Sequence, residues 1–336
     1  MKIAINGFGR IGRATFKALL NNKNIEIVAI NDLTDLATLV NLLKYDSVYG
    51  VYPKKVKKSS HHIYVNGKKF KILAEKNPAD LPWKELGVDV VIECTGIFRT
   101  REEAGKHLKA GARKVIISAP AKGEEEVKTV VPGVNEDKLK KNDHIFSLAS
   151  CTTNCLSPAT DVIKRNFGIQ KAIMTTIHSY TSTQNIVDGP HKDLRRGRTA
   201  GVNLVPTTTG AAIATTKTIP ELKNKFDGMA VRTPTPVGSI CDMVFLTRKN
   251  ITEEGVNKAF TRASKTSRLK GVLEVSTDPI VLTDIIGNPA SSIVDLPLTK
   301  VVDKNLLKVI AWYDNEWGYS NRMADMADYL RKKKLI

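Results

Sequence analysis

The first 32 residues constrain the fold of this chain more than any other segment. An alternating apolar run, Lys2 to Asn6, leads into Gly7-Phe8-Gly9-Arg10-Ile11-Gly12. From about Arg10 to Leu20, Ile11, Ala14, Ala18 and Leu19 share one helical face, and the Asn21-Asn22 pair ends the helix. A second β run, Ile25 to Asn31, ends at Asp32, twenty residues after Gly12. Strand, tight turn, helix and strand are thus in register with an acid. The glycines permit a tight turn and close backbone approach to a pyrophosphate, whose charge meets the positive end of the helix. Asp32 can accept hydrogen bonds from both ribose hydroxyls of an adenosine and would repel a 2′-phosphate, so the pattern favours NAD over NADP. A structural role for the glycines alone, tightening a βα turn, leaves the position of Asp32 unexplained.

Further β runs at Val88–Cys94 and Lys114–Ser118 alternate with helix-period segments, the pattern of a parallel sheet covered by helices. The second half mixes a helix with longer β runs at Lys171–Ile177, Met229–Arg232 and Ile240–Arg248, and Tyr319–Leu335 has Met323, Met326, Ala327 and Leu330 at helical spacing. Between Ser179 and Asn203 the chain is polar, basic and without periodicity, which predicts a long, ordered active-site or interface loop. With 336 residues, two domains are expected.

No stretch approaches the roughly 18 consecutive apolar residues of a membrane span. The chain opens directly on the strand-like MKIAING, without the apolar region of a secretory signal, and the expected location is the cytoplasm. Four scattered cysteines, Cys94, Cys151, Cys155 and Cys241, suit free thiols rather than a disulfide framework. Cys151 and Cys155 lack a second Cys/His pair, so no metal is expected. The net charge of +18 predicts attraction to anions without choosing among them. Much of it lies in clusters, Lys54, Lys55, Lys57 and Lys58, then Lys68, Lys69 and Lys71, then Arg331 to Lys334, without interleaved stacking aromatics, which reads as solvated lysine-rich faces.

The chemistry centres on Ser150-Cys151-Thr152-Thr153-Asn154-Cys155 and the following amphipathic segment, where Leu156, Ala159, Val162 and Ile163 share a face. With Ser150 as N-cap, Cys151 stands in the first turn of a helix, where unpaired amide groups lower a thiol pKa and favour thiolate. Pro158 should kink that helix. A cysteine in such a place is by itself more often a small buried apolar residue, and Cys155 is read so. His178, ending an apolar β run, is the candidate base. His61, His62, His107 and His144 are read as surface residues, and His191 belongs to the long basic loop. Arg195, Arg196 and Arg198, Thr207-Thr208-Thr209-Gly210, and Arg232 before Thr233-Pro234-Thr235-Pro236 form anion-binding candidates, suggesting two phosphate pockets.

Taken together, KIAINGFGRIGR, NDLTD, LLKYDS, IECTG, SAPAKG, ASCTTNCL, TTIHSYT, PHKDLRRGR, PTTTGAA and WYDNEWGYSNR lie in the order seen in the phosphorylating glyceraldehyde-3-phosphate dehydrogenases, which the chain resembles from end to end. The resemblance implies a Rossmann-like doubly wound α/β NAD-binding domain, residues 1–150 with a C-terminal helix, 316–336, returning to it. It also implies an α+β catalytic domain, 151–315, with a mixed or antiparallel sheet. By resemblance Cys151 is the nucleophile and His178 the base. Gly7, Gly9, Arg10, Ile11, Gly12 and Asp32 hold NAD, Lys76 and Ser118 flank it, and Asn315 orients the nicotinamide amide. Ser150, Thr152, Thr181, Arg196, Thr209, Gly210 and Arg232 bind glyceraldehyde 3-phosphate and inorganic phosphate, with Arg195 or Arg196 open for the arginine role. A homotetramer is implied, with the long loop near a neighbouring subunit.

Two segments depart from the family pattern: Ser147-Leu148-Ala149-Ser150 stands for SNAS, and Thr181-Ser182-Thr183-Gln184 carries Ser182-Thr183 for Asn-Asp. Gly189-Pro190 resembles the NAD-using members. The implied reaction takes aldehyde, phosphate and NAD to an acyl phosphate through a hemithioacetal and a thioester on Cys151. The rival activity is oxidation of erythrose 4-phosphate to an acid. A reading from another class, prompted by the charge, is a nucleic-acid-binding protein on the same fold, although nucleic acid is not required for the main reading.

Overall fold

The computed structural model describes residues 1–336, which divide into two compact units. The first comprises Met1–Val130, Asp137–Ala149 and Ser320–Ile336; the second comprises Val131–Glu136 and Ser150–Tyr319.

In the first unit the strand order is Lys128–Thr129, Ile145–Ser147, Lys114–Ile117, Val90–Glu93, Lys2–Asn6, Glu26–Asn31, Lys68–Leu73, His62–Val65, Val56–Ser59. The first seven run parallel, and the last two turn back as antiparallel neighbours. The central strands carry continuous apolar runs because both faces are covered: Ile3, Ala4, Ile5, Val90, Val91 and Ile92 have no exposure. The expected first helix forms at Arg10–Leu19. In the helix Trp317–Lys332, Met323, Met326, Ala327 and Leu330 are buried, as their spacing predicts. Ser320 Oγ, in the part of that helix belonging to this unit, donates to the Ile11 carbonyl at 3.5 Å. No helix of the chain is long and apolar enough to cross a membrane.

One expectation fails here. His107 is fully buried rather than a surface residue, because its helix Arg101–Lys109 turns it toward polar partners inside the unit. Trp83 Nε1, which can only donate, gives its hydrogen to His107 Nδ1 at 3.0 Å. The ring proton therefore sits on Nε2 and faces Glu93 Oε2 at 3.1 Å. Glu93 also accepts from Asn6 Nδ2 at 2.6 Å and the Thr95 amide at 2.8 Å, and Asn6 accepts from Asn31 Nδ2 at 2.7 Å. These partners are distant in sequence, so nothing local to His107 announces the network.

The second unit is a mixed sheet in the order Val205–Thr208, Phe226–Thr233, Ile169–Ser179, Ser239–Thr247, Leu306–Tyr313, Ser292–Asp295, Leu273–Ser276. Lys300–Val302 also pairs with Leu306–Tyr313. The helix Cys151–Phe167 lays Cys155, Leu156, Ala159, Val162 and Ile163 into a core shared with Met243, Phe245 and Val309. Pro158 lies inside this helix without ending it. Its missing N–H leaves the helix unbroken because the surrounding face is packed on the sheet.

Replacement of His107 by Leu leaves the Trp83 N–H unpaired and removes one donor from buried Glu93. The expected loss is about 2–4 kcal/mol, read as a lower urea midpoint. An unchanged midpoint would exclude the network as a stabilising feature.

Candidate active site

The second unit brings the predicted nucleophile and base together. Ser150, with extended backbone, caps the helix Cys151–Phe167 by accepting from the Thr153 amide at 3.1 Å, which places Cys151 at the first helical position. His178 stands near the end of the strand Ile169–Ser179, and Cys151 Sγ lies 3.4 Å from His178 Nε2. On the other ring nitrogen, Nδ1 is 2.7 Å from the Ser179 carbonyl and 3.0 Å from Arg232 Nη1. These two neighbours ask opposite things of one atom. The carbonyl can only accept and is the closer, so Nδ1 carries the proton and Nε2 turns its lone pair to the sulfur. Arg232 Nη1 is satisfied by the same carbonyl at 2.8 Å.

Sheet register explains the arrangement. His178 is directly paired with Arg232 on one neighbouring strand and with Ser239 on the other. Tyr313, which sequence reasoning passed over, packs edge-on against the imidazole with ring centroids 6.0 Å apart. Its hydroxyl joins Thr152 Oγ1 at 2.9 Å and Thr176 Oγ1 at 2.8 Å. Burial pushes that phenol well above its ordinary pKa, so the proton stays on. Tyr313 lies in the segment WYDNEWGYSNR, in which the family resemblance assigns a role to Asn315 alone.

The electrostatics correct the expectation of a lowered thiol pKa. Burial pushes the Cys151 thiol up to about 11, against the pull of the Thr152 hydroxyl and Arg232. Burial, and after it Arg232, pushes His178 down to about 3, with the Ser179 carbonyl opposing. Desolvation thus outweighs the hydrogen bonds from Thr152 and the charge of Arg232 in the resting site. Each group is held toward neutrality, and the separation of charge comes with proton transfer from Sγ to Nε2, where the two new charges stabilise each other.

Further candidates surround this pair. Asn315 is buried, and its Oδ1 accepts from the Gly238 amide at 2.8 Å and Ser179 Oγ at 3.1 Å, leaving its Nδ2 hydrogens to donate elsewhere. Arg196 is held by Asp193 at 3.3 Å, Thr207 Oγ1 at 2.8 Å and the Thr208 carbonyl at 3.3 Å, and its charge acts on Arg232. Arg195 is exposed, and Arg198 pairs with Asp188. Thr181 Oγ1 meets Thr183 Oγ1 at 2.9 Å, so one departing residue of that segment directly supports a candidate ligand. Gly210 caps the helix Ala211–Thr218 with open space around it, and Thr209 Oγ1 accepts from the Ala211 amide at 3.2 Å. Ser150 and Thr152 spend their hydroxyls on capping and on Tyr313.

In the first unit, a groove of about 520 Å³ is lined by residues including Asn6, Gly7, Gly9, Asp32, Lys76 and Thr95. Gly7 has φ +90°, and a Cβ there would stand 2.7 Å from the Thr95 amide nitrogen; a Cβ on Gly12 would stand 2.1 Å from the Gly7 carbonyl oxygen. Gly9 faces open space at the head of the helix, where a ligand backbone could approach. Asp32 accepts from the Phe8 amide at 2.6 Å and the Thr34 amide at 2.9 Å, which orients its carboxylate at the groove. Arg10 turns its guanidinium to Asp46 at 2.9 Å, and the amides of Ile11 and Gly12 precede the first helical bond, Arg13 to Gly9. Ser118 does not line the groove itself but hydrogen-bonds the thiol of Cys94, which does.

Residues 1–101 match the glyceraldehyde 3-phosphate dehydrogenase NAD binding domain, and residues 150–315 match the glyceraldehyde 3-phosphate dehydrogenase C-terminal domain. The chain belongs to the glyceraldehyde-3-phosphate dehydrogenase family. It is similar to the glyceraldehyde-3-phosphate dehydrogenase of Streptomyces coelicolor, 52% identical over 98% of each chain. To that of Geobacillus stearothermophilus it is 52% identical, covering 100% of this chain and 99% of the relative. To glyceraldehyde-3-phosphate dehydrogenase 1 of Bacillus subtilis it is 51% identical with the same coverage. As a member of this family the chain is an NAD-dependent oxidoreductase. The groove of the first unit has what the cofactor requires: a cradle left open at Gly9, a helix N-terminus and an oriented carboxylate.

Arg232 should favour the Cys151 thiolate by opposite charge. In a His178→Asn background, which removes the imidazole as proton acceptor, Arg232→Gln is expected to move the pH profile of Cys151 alkylation upward and slow the reaction at pH 8. A profile that stays in place or moves down would exclude Arg232 as the source of that stabilisation.

Proposed function

We propose that the chain oxidises glyceraldehyde 3-phosphate with NAD and inorganic phosphate to give 1,3-bisphosphoglycerate and NADH, through a covalent intermediate on Cys151. The observation that carries this reading is the contact of 3.4 Å between Cys151 Sγ and His178 Nε2, with Arg232 beside the imidazole.

His178 Nε2 takes the thiol proton as the sulfur attacks the aldehyde carbon, forming the C–S bond of a hemithioacetal. The resulting oxyanion is held by the Cys151 amide and the imidazolium, at the helix end where backbone donors converge. That oxygen is protonated by His178, which then withdraws the same proton as the C–H hydride departs. NAD, when bound, supplies the hydride acceptor. Oxidation leaves a thioester on Cys151. Phosphate oxygen attacks the thioester carbon, the C–S bond breaks, and the thiolate regains its proton from His178.

Arg196, Arg232, Thr181, Thr209 and Gly210 supply the charge and donors for the substrate phosphate and the attacking phosphate. Ser150 and Thr152 contribute chiefly by fixing the helix end and the Tyr313 contact. Asn315 offers its Nδ2 hydrogens to the nicotinamide amide, and Asp32 holds the adenosine ribose. Gly7, Gly9, Arg10, Ile11 and Gly12 form the pyrophosphate turn, flanked by Lys76 and Ser118.

The family and its relatives do not favour erythrose 4-phosphate as substrate, and nucleic acid binding as the main role is likewise not favoured. Within the long loop, Ile186, Val187, Leu194 and Val202 are 67–86% exposed, an apolar surface suited to burial against further copies of the chain. A homotetramer in the cytoplasm accounts for this surface and for the four unpaired cysteines.

Cys151→Ser is expected to abolish NADH formation from aldehyde and phosphate, and omission of phosphate to slow the wild type strongly. A Cys151→Ser enzyme that still turns over, or turnover indifferent to phosphate, would overturn the thioester route. His178→Asn should slow alkylation of Cys151 at neutral pH and lower kcat by roughly 10²–10⁴-fold.

A further inference from the structure

The strands Val90–Glu93, Lys2–Asn6 and Glu26–Asn31 are parallel neighbours, and each ends on a buried polar residue of one register row: Glu93, Asn6 and Asn31. The carboxyl ends of parallel strands are where an α/β sheet meets its ligand. Here the row forms a continuous chain of hydrogen bonds. Glu93 accepts from Asn6 Nδ2 at 2.6 Å, and Asn6 Oδ1 accepts from Asn31 Nδ2 at 2.7 Å. Asn31 then clasps the Glu75 backbone, its Oδ1 accepting from the amide at 2.8 Å and its Nδ2 donating to the carbonyl at 2.9 Å. In the other direction the Thr95 amide donates to Glu93 at 2.8 Å, the Thr95 hydroxyl donates to the same oxygen, and Thr95 Oγ1 accepts from the Ile97 amide at 3.1 Å. Asn6, Asn31, Glu75, Thr95 and Ile97 all line the groove of the first unit, whereas Glu93 and His107 do not.

Four donors thus meet one carboxylate. The Thr95 amide and hydroxyl take Oε1, while Asn6 Nδ2 and His107 Nε2 take Oε2, the latter with its proton held in place by the Trp83 N–H on Nδ1. Only a group that accepts at both ends can satisfy them, since the amide of a glutamine would turn its own hydrogens on one set of donors. A buried carboxylate is costly to desolvate, and well-packed apolar residues would fill the same space more favourably. Stability alone therefore does not call for it. What the carboxylate does that an apolar side chain could not is tie both flanks of the strand Lys2–Asn6 to one point, Asn31 and Glu75 on one side and Thr95 and Ile97 on the other.

We propose that Glu93, with its hydrogen bond from His107, is a positioning residue for the cofactor, fixing both flanks of the groove and thereby setting the affinity for the adenosine half of NAD. It touches no reacting atom and acts through Asn6, Asn31 and Thr95. Because those groups are held before a ligand arrives, binding does not have to order them, and hydrogen bonds lost from the carboxylate weaken the cofactor's hold. The groups assigned to the chemistry, Cys151, His178 and Asn315, belong to the second unit, so turnover with cofactor bound does not depend on Glu93. The inference rests on the reading that this groove holds the adenosine ribose at Asp32.

The test measures Kd for NAD and for ADP-ribose, which lacks the nicotinamide, by titration calorimetry on the whole protein, beside kcat. Glu93→Gln should weaken both ligands by a common factor of roughly tenfold, with kcat at saturating NAD within about twofold of wild type. His107→Leu, which removes one donor and leaves the carboxylate in place, should weaken both by a smaller factor, and it carries the test if Glu93→Gln does not fold. Phe245→Leu, in the core of the second unit, should lower the urea midpoint and leave both Kd values unchanged, which separates positioning from loss of stability. Asp32→Ala probes the underlying reading. If it leaves the affinity for ADP-ribose unchanged, the groove is not the adenosine site and the inference falls with that reading. If it weakens ADP-ribose while folded Glu93 and His107 variants bind as the wild type does, the inference alone falls. A loss confined to NAD, a loss of kcat with Kd unchanged, or an equal weakening in Phe245→Leu would each overturn it as well.

Discussion

A thiol and an imidazole can exchange a proton productively only if both are held still and kept from water that would satisfy them separately. That constraint governs the second unit. The sulfur is fixed by a helix start whose cap, Ser150, is itself bonded to the Thr153 amide. The imidazole is fixed by strand register between Arg232 and Ser239 and by the Tyr313 ring. Burial then holds thiol and imidazole toward their neutral forms, so charge separation is deferred until the sulfur finds an electrophile. The apolar packing of the helix Cys151–Phe167 makes this possible, since the face carrying Cys155, Leu156 and Ile163 anchors the end that carries Cys151.

The first unit answers a different demand, that of bringing a ligand's phosphates close to backbone. Gly7 and Gly12 cannot carry a side chain because Thr95 and the Gly7 carbonyl occupy the space. Gly9 is constrained by no neighbour, and that open position is the useful one. Beneath the groove, Asn6 and Thr95 are tied to Glu93 and through it to His107 and Trp83. A polar network buried in the sheet thus braces residues that line the groove.

Much of this was legible in the chain. Strands at Lys2–Asn6 and Lys114–Ile117 and the helix Arg10–Leu19 form where periodicity and turn residues place them, since local pattern decides them. His107 was misread because a histidine among charged neighbours looks exposed when its partners Trp83 and Glu93 are far away in sequence. Tyr313 was missed for the same reason: its worth lies in contacts with Thr152, Thr176 and His178.

The sequence by itself determined the strand–turn–helix that cradles a dinucleotide, the acid that accompanies it, and the cysteine and histidine with chemistry to offer. These follow from local propensity and from the reactivity of single side chains. Only the tertiary structure decided which atoms meet: Sγ with Nε2, and Arg232 with the far side of the imidazole. It also reversed the sign of the thiol's perturbation, because desolvation depends on everything packed around a group, and that is known only when the chain has folded.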